Sequence, residues 1–433
     1  MAVAVVLFTR DLRVHDNPAL ASGCRTASRV VPLFVRDPAV PSSPGRDRFL
    51  AESLADLRDS LRRRGGDLVI RHGDPVAETM RVAGEVGARH VVSAADVSAY
   101  ARRRERRLAT ACAGERTSLT VTPGVTVVAP DALKPYRVFT PYHRAWLALP
   151  WRRLESAPRT VSLPDAPLRS VDLPVPVSGG SPSPFPGGET AGRRRLSGWL
   201  STVDRYADDH DDLAGDRTSR LSPYLHFGCL SPLDVAAKAG GGPGAEAFVR
   251  QLCWRDFYQQ LLYSFPALPS VALRASAPDD WRDRDDALEA WRAGRTGVPI
   301  VDAGMRQLAR EGWMHNRARL ITASFLTRYL GLDWRAGAAH FARLLLDADV
   351  ASNNGNWQWV AGTGTDTKPY RRFNPIRQAG RFDPAGDYVR RHVPELTAVA
   401  GRDVHQPWLL PERVRSGLDY PVPLAGVAPA SWM

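Results

Sequence analysis

The chain has 433 residues, 44% of them hydrophobic, and carries 58 Lys and Arg against 46 Asp and Glu, a formal net charge of +12. That length and apolar content fit two globular domains and exclude a disordered or fibrous chain. The positive balance points to a polyanionic partner or at least a basic face, with nucleic acid and mere scattered charge in an Arg-rich chain equally compatible with it. Cys24, Cys112, Cys229 and Cys253 lie far apart with no CxxC pair, which excludes a disulfide framework and a cysteine zinc site. The apolar start, residues 1–8, has no basic lead or cleavage site and runs directly into Arg10 and Asp11. It reads as a buried first strand rather than a signal peptide. No apolar run reaches membrane-spanning length, so the expectation is a cytoplasmic protein with no membrane partner.

Residues 1–130 alternate β-rich runs at 3–8, 30–35, 67–71 and 90–93 with helical patterns at 49–65 and 76–86. This rhythm predicts an α/β domain, a Rossmann-like parallel sheet with crossover helices. The turn at 9–18 sits where such folds place ligand contacts. No GxGxxG follows the first strand, so an ordinary dinucleotide site is not expected. From 131 to 190 Pro and Ser accumulate, as at Pro164, Pro167, Pro174, Pro176 and 181–184. That stretch predicts an interdomain linker with little regular structure, in which 139–146 is apolar enough to dock. Residues 191–425 form the second domain, read as all-α from helical periodicity at 193–208, 245–264, 287–293, 301–311, 316–330 and 336–346. The Pro-rich tail 407–433 reads as irregular.

Four segments carry chemistry. The segment 347–359 packs Asp347, Asp349, Asn353, Asn354, Asn356, Trp357 and Trp359 into one short run. So many amides argue against a core helix, because each buried amide needs a partner, and two indoles argue against a plain surface loop. The mixture predicts a wall against a planar polar ring system. Residues 218–223 group Thr218, Ser219, Arg220, Leu221 and Ser222 ahead of Pro223 and a helical stretch. They form a phosphate cradle or, more simply, a plain N-cap. In 248–258, Gln251, Trp254, Arg255 and Tyr258 share one helix face, which suits stacking on a base and bonding its edge; alternatively Trp254 and Phe257 are core. In 312–320, Arg317 and Arg319 must point to different sides of a helix, one able to meet phosphate and the other a buried carboxylate. His315 has no partners at metal-ligand spacing, so no metal site is expected.

Taken in this order, the segments resemble the photolyase/cryptochrome flavoprotein family. The likeness runs from Leu7-Phe8-Thr9-Arg10-Asp11-Leu12-Arg13 to about Leu396, with 312–319, 347–359, Gly362-Thr363-Gly364-Thr365-Asp366 and Phe373-Asn374-Pro375 the most specific motifs. Within the family the pattern is most similar to class I enzymes that repair cyclobutane pyrimidine dimers. The resemblance implies an α/β antenna domain and an all-α domain holding FAD. By position, Tyr206, Thr218, Ser219, Arg220, Leu221 and Ser222 match flavin-phosphate contacts. Arg255, Asp347, Ala348 and Asp349 match further flavin contacts, with Arg319 paired to Asp347. Asn353 matches the residue facing flavin N5, where an amide can donate or accept. Trp281, Trp334 and Trp357 match a triad that passes electrons from the surface to the flavin. Trp254 and Trp359 match the aromatic walls of the lesion pocket, and Gln251, Tyr258, Asn316 and Arg317 match its polar contacts. The implied reaction is light-dependent splitting of the dimer by an electron from photoexcited reduced FAD, performed by a monomer. The DNA is held through its phosphates with the dimer flipped out.

The sequence departs from the class I pattern at three places. Gln251 stands where Glu is usual, and His210 where Arg is frequent. The helix after the fourth strand, around Tyr100 to Glu105, lacks the Asn-Glu pair of folate-binding relatives, so 8-hydroxy-5-deazaflavin is the favoured antenna and folate the lesser one. Two alternatives follow from the resemblance. The (6-4) photolyases share Gln at position 251, but they carry a histidine pair where this chain has Asn316 and Leu320, and their chemistry needs one such His as acid. Cryptochrome-type blue-light receptors usually carry a long C-terminal extension, which this sequence does not show, so repair is the expectation.

Overall fold

The computed structural model describes residues 2–173, 185–277, 279–368 and 371–425. The Pro- and Ser-rich positions 174–184 and the end of the tail, 426–433, lie outside the described residues. By internal contacts the chain divides into one unit of Met1–Asp204 with Ser219–Pro266 and a second of Arg205–Thr218 with Ala267–Met433. These boundaries do not coincide with the composition shifts at 130 and 190.

The first unit opens with β1 (Val3–Phe8), α1 (Pro18–Thr26), β2 (Arg29–Arg36), α2 (Pro44–Arg62), β3 (Val69–His72), α3 (Pro75–Glu85), β4 (His90–Ala94), α4 (Ala99–Gly114) and β5 (Ser118–Thr122). The five strands form one parallel sheet in the order β3-β2-β1-β4-β5. β1 is central and wholly buried, which is why its sequence is a continuous apolar run instead of an alternating one. β5 was not expected from the sequence. It is an edge strand, mostly exposed, and its Ser and Thr residues give no apolar signal. Asn17, Ser43, Asp74 and Ser98 each cap the following helix by accepting a backbone N–H.

In the turn at 9–18, Arg10 and His15 stay partly exposed while most of the other polar side chains turn inward. Asp11, Arg13, Asp16 and Asn17 are buried and bond within the unit. Arg13 donates to the carbonyls of Asp16 and Gly228. Asp16 accepts both Nη atoms of Arg152 at 2.6 and 2.7 Å and the Ser231 hydroxyl. Gly228 has φ +69°, and a Cβ there would lie 1.9 Å from the Arg10 carbonyl oxygen. Only glycine allows that approach.

The region 131–190, expected to be largely irregular, contains a regular helix, α5 (Phe139–Ala148). It buries Phe139, Tyr142 and Trp146 against the long helix of this unit, Pro243–Ser264, so the docking expected of 139–146 is realised by a helix. Between lie α6 (Glu189–Leu200) in this unit, α7 (Tyr206–Asp209) in the other, and α8 (Ser222–His226) and α9 (Pro232–Lys238) in this one; Pro243–Ser264 is α10. Asp256 of α10 is buried, and its Oδ2 accepts the backbone N–H groups of Val127 and Val128 and the Trp146 indole N–H. Burial outweighs these donors and raises the carboxyl from 3.8 to about 6. The folded state therefore holds a proton that the unfolded chain releases above pH 3.8. Asp256 stabilises most below that pH, and the contribution fades as pH rises through 6, by about 3 kcal/mol in all. Asp256→Asn keeps an acceptor oxygen and removes the charge. Its urea midpoint, relative to the parent, should therefore climb between pH 4.5 and pH 7; a constant difference would contradict the assignment.

The second unit is helical: α11 (Asp285–Arg292), α12 (Pro299–Glu311), α13 (Asn316–Ser324), α14 (Trp334–Leu344), α15 (Val350–Ala361), α16 (Pro375–Phe382), α17 (Asp387–His392) and α18 (Glu412–Arg415). Its core gathers Trp291, Ile300, Met314, Phe325, Trp334, Phe341, Trp357 and Tyr388. The single helix expected over 316–330 ends at Ser324 and continues as a π-helical turn, Phe325–Leu330, closed by Gly331 at φ +72°. Among the described residues no helix is long and apolar enough to cross a membrane.

Candidate active site

Within the helical unit a cleft opens to solvent between α13, α14 and α15, about 450 Å³ with the open solvent at its mouth included. α13 contributes Asn316, Arg319, Leu320 and Ala323, α14 contributes Phe341, and Asp347, Ser352, Asn353, Asn356, Trp357 and Val360 complete the lining. The segment 347–359, argued from its amides to be no core helix, is helical from Val350, and Asp349 caps it by accepting the Ser352 N–H at 2.8 Å. The amides are tolerated because their donors are satisfied locally. Asn354 donates to the Val350 carbonyl and Asn356 to the Ser352 carbonyl, each at 2.8 Å and one turn back. Asn353 donates to the Ala338 carbonyl at 3.0 Å.

Asp347 is 6% exposed. Its Oδ2 accepts from Arg319 Nη2 at 2.8 Å, and Arg319 Nε is fixed on the Met314 carbonyl at 2.9 Å. Its Oδ1 is shut off from water and has no partner among the described residues. A buried acceptor left unmatched costs about 1–3 kcal/mol, so Asp347 Oδ1 calls for a donor beyond the described residues. A planar ring with N–H groups on its rim, such as a flavin, fits. Thr218 Oγ1, in the same unit, is likewise buried without a partner. Earlier in the chain, burial and the Asp211 carboxylate hold the Tyr206 phenol well above its ordinary value. Tyr206 therefore stays a hydroxyl donor. His210 packs on Tyr206 with centroids 5.3 Å apart, and its Nδ1 faces the Tyr206 and Ala207 carbonyls.

The two arginines of α13 diverge, as their spacing requires. Both find carboxylates: Arg319 meets Asp347, and Arg317 forks onto Asp211 at 3.1 and 2.6 Å while lying 4.4 Å over the Phe382 ring. Asn316, the first residue of α13, is exposed. His315 is the N-cap, its Nδ1 accepting the Arg317 N–H at 3.1 Å. Its place in the fold is thus accounted for by capping.

The three triad candidates differ in depth. Trp281 is partly exposed and donates its indole N–H to Asp279 at 2.9 Å. Trp334 is wholly buried, with its indole N–H unpaired among the described residues. Trp357 lines the cleft and packs edge-on against Phe341 at 5.0 Å and Trp291 at 6.0 Å. Gly337 on α14 makes room for it, since a Cβ there would sit 2.2 Å from the Trp357 ring. Trp359 is partly exposed, 6.1 Å from Phe373 with the Arg371 guanidinium 5.2 Å from its ring.

The remaining candidates lie in the first unit. On α10, Gln251 is exposed, Trp254 and Arg255 are half-buried and Tyr258 is buried. Trp254 and Tyr258 have centroids 5.8 Å apart. Arg255 donates to the carbonyls of Val125 and Leu225, so it braces the backbone around α8. Arg220 sits at φ +50° ahead of α8. The Ser219 carbonyl accepts from Arg195, and the Ser219 hydroxyl accepts the Leu221 N–H. Leu221 is buried and Ser222 half-buried.

Ala323, Phe341, Ser352 and Val360 line the cleft but were not singled out from the sequence. Once 350–361 is known to be a helix, positions 352, 353, 356, 357 and 360 fall on one face. That helical spacing was the available signal.

A parallel α/β unit joined to a helical unit, with a cleft of carboxylate, amides and indole, is the architecture of a flavin-binding photolyase or cryptochrome. Comparison with known proteins agrees. The family model described as DNA photolyase matches residues 4–161, and that of the FAD-binding domain of DNA photolyase matches residues 248–431. The chain is 51% identical to the deoxyribodipyrimidine photo-lyase of Streptomyces griseus, over 99% of this chain and 98% of that one. It is 36% identical to the Escherichia coli protein of the same name, over 98% and 96%. Among solved structures, a class III photolyase from Agrobacterium tumefaciens superposes with a TM-score of 0.93 at 33% identity, covering 100% of this chain and 95% of that one. The chain belongs to the DNA photolyase family.

Proposed function

We propose that the protein is a light-dependent DNA-repair lyase that binds FAD and splits cyclobutane pyrimidine dimers. The observation that carries the reading is Asp347, a buried carboxylate with one oxygen paired to Arg319 and the other without a partner among the described residues. FAD, when bound in reduced form, supplies a light-driven electron to the dimer. The side chains bind, orient and insulate. Asp347 and Arg319 would hold the ring edge. Asn353, its N–H₂ committed to Ala338, offers an oxygen, which suits an N–H at N5. Tyr206, Thr218, Ser219, Arg220, Leu221, Ser222 and Arg255 are assigned to the rest of the cofactor, Arg255 by bracing its neighbours. Trp357 delivers electrons from Trp334 and Trp281. Gln251, Trp254, Tyr258, Asn316, Arg317 and Trp359 are assigned to the lesion. The fork of Arg317 onto Asp211 means that phosphate would share its guanidinium.

We assign an antenna to the α/β unit. Arg10 and Asp96, 3.4 Å apart, follow β1 and β4, beside the point where the strand order reverses and such sheets bind ligands. The missing Asn-Glu pair favours 8-hydroxy-5-deazaflavin over folate, and the absorption spectrum of the chromophore released from native protein decides between them.

The function is tested on an oligonucleotide with a single thymine dimer, with flavin fully reduced. Restoration under blue light and none in darkness is expected. Failure on that substrate with success on a (6-4) lesion would move the assignment to the enzymes that also carry Gln at position 251. Failure on both would favour a blue-light receptor.

A further inference from the structure

Phe139 opens α5, in the stretch that reads from composition as a linker, yet its ring lies flat on the indole of Trp254. The centroids are 3.6 Å apart and the planes differ by 5°. Aromatic pairs left to themselves prefer offset or edge-on geometry to such a near-sandwich, so this one is held by its surroundings. Phe257 meets both rings edge-on, at 5.7 and 5.6 Å. The Arg250 guanidinium lies 5.0 Å from the Phe139 centroid, and His143 stacks on Phe139 at 5.5 Å. Arg250 donates to His143 Nδ1 at 3.3 Å. Phe139 is buried while Trp254 stays partly exposed, so the contact takes up one π-face and leaves indole surface for another ring. Trp254 cannot tilt toward Phe139, and its mobility is confined by Phe257.

We propose that Phe139 is a positioning residue for lesion recognition: by covering one face of Trp254 it fixes the plane against which a flipped pyrimidine dimer stacks. The proposal rests on the reading of Trp254 as a wall of the lesion pocket. It also gives the 131–190 stretch a share in substrate selection.

The test is binding in the dark, with no turnover needed. The dissociation constants of the full-length flavoprotein are measured for a duplex with one thymine dimer and for the undamaged duplex, and their ratio is the readout. Trp254→Ala should cut that ratio by roughly tenfold or more, the worth of one stacked base. Phe139→Leu, which keeps an apolar side chain but not the flat ring, should cut it roughly three- to tenfold. Phe139→Tyr should restore it, and affinity for undamaged DNA should change little in all variants. In the Trp254→Ala background Phe139→Leu should add nothing, because the two act as one element. A parental ratio in Trp254→Ala would overturn the lesion-wall reading itself. Loss in Trp254→Ala with an intact ratio in Phe139→Leu, or fully additive losses, would overturn the positioning role alone.

Discussion

Trp357→Phe should slow photoreduction of the bound flavin by an order of magnitude or more, yet leave repair by chemically pre-reduced enzyme close to the parental rate. Trp357 alone of the three triad candidates lines the cleft, which makes it the last step of the proposed relay. Phenylalanine preserves the edge-on packing against Phe341 and Trp291 but is far harder to oxidise than indole. Filling the flavin with electrons should fail while use of an electron already there persists. Flash photolysis for the first and dimer loss under single-turnover illumination for the second separate the two. Equal losses in both would mean that Phe disturbed the cleft, and the relay role would fall.

Asp347→Ala should yield protein largely stripped of flavin. The carboxylate is buried and Arg319 is aimed at it from a fixed position on the Met314 carbonyl. Removing one partner of such a pair typically costs about 3–5 kcal/mol, and the oxygen without a partner among the described residues is lost as well. A 100-fold or greater weakening of FAD binding, read by titrating apoprotein, is expected. Asp347→Asn sharpens the test, since it can still accept from Arg319 but presents a donor in place of the unpartnered acceptor Oδ1. It too should lose most of its affinity, and flavin content equal to the parent in both variants would refute the role of the orphan oxygen.

The α/β sheet was legible because buried parallel strands write themselves as unbroken apolar runs; Val3–Phe8 matched to the residue. β5 was invisible because an exposed edge strand of Ser and Thr has no such signature. The helix α15 misled for a different reason. Counting amides assumes that each must find a distant partner, whereas Asn354 and Asn356 turn back onto carbonyls of their own helix. The pairing of Arg319 with Asp347 followed from family motifs 28 positions apart. The linker helix α5 was hidden by the prolines around it, and with it the cover on Trp254, a contact between residues more than a hundred positions apart that no local pattern encodes.

The Gly228 contact has a consequence for biosynthesis. The carbonyl of Gly228 and the hydroxyl of Ser231 complete the shells of Arg13 and Asp16, residues made more than two hundred positions earlier. A nascent chain stopped at 130, or at 190, lacks the Gly228 and Ser231 groups that complete this charged, buried turn, although one stopped at 190 already carries Arg152 for Asp16. The first unit is thus finished only when the ribosome has delivered chain as far as Pro266, by which time Arg205–Thr218, belonging to the other unit, has already emerged. The two units must therefore overlap in their maturation, and fragments cut at either composition boundary should be chaperone clients rather than independent folders.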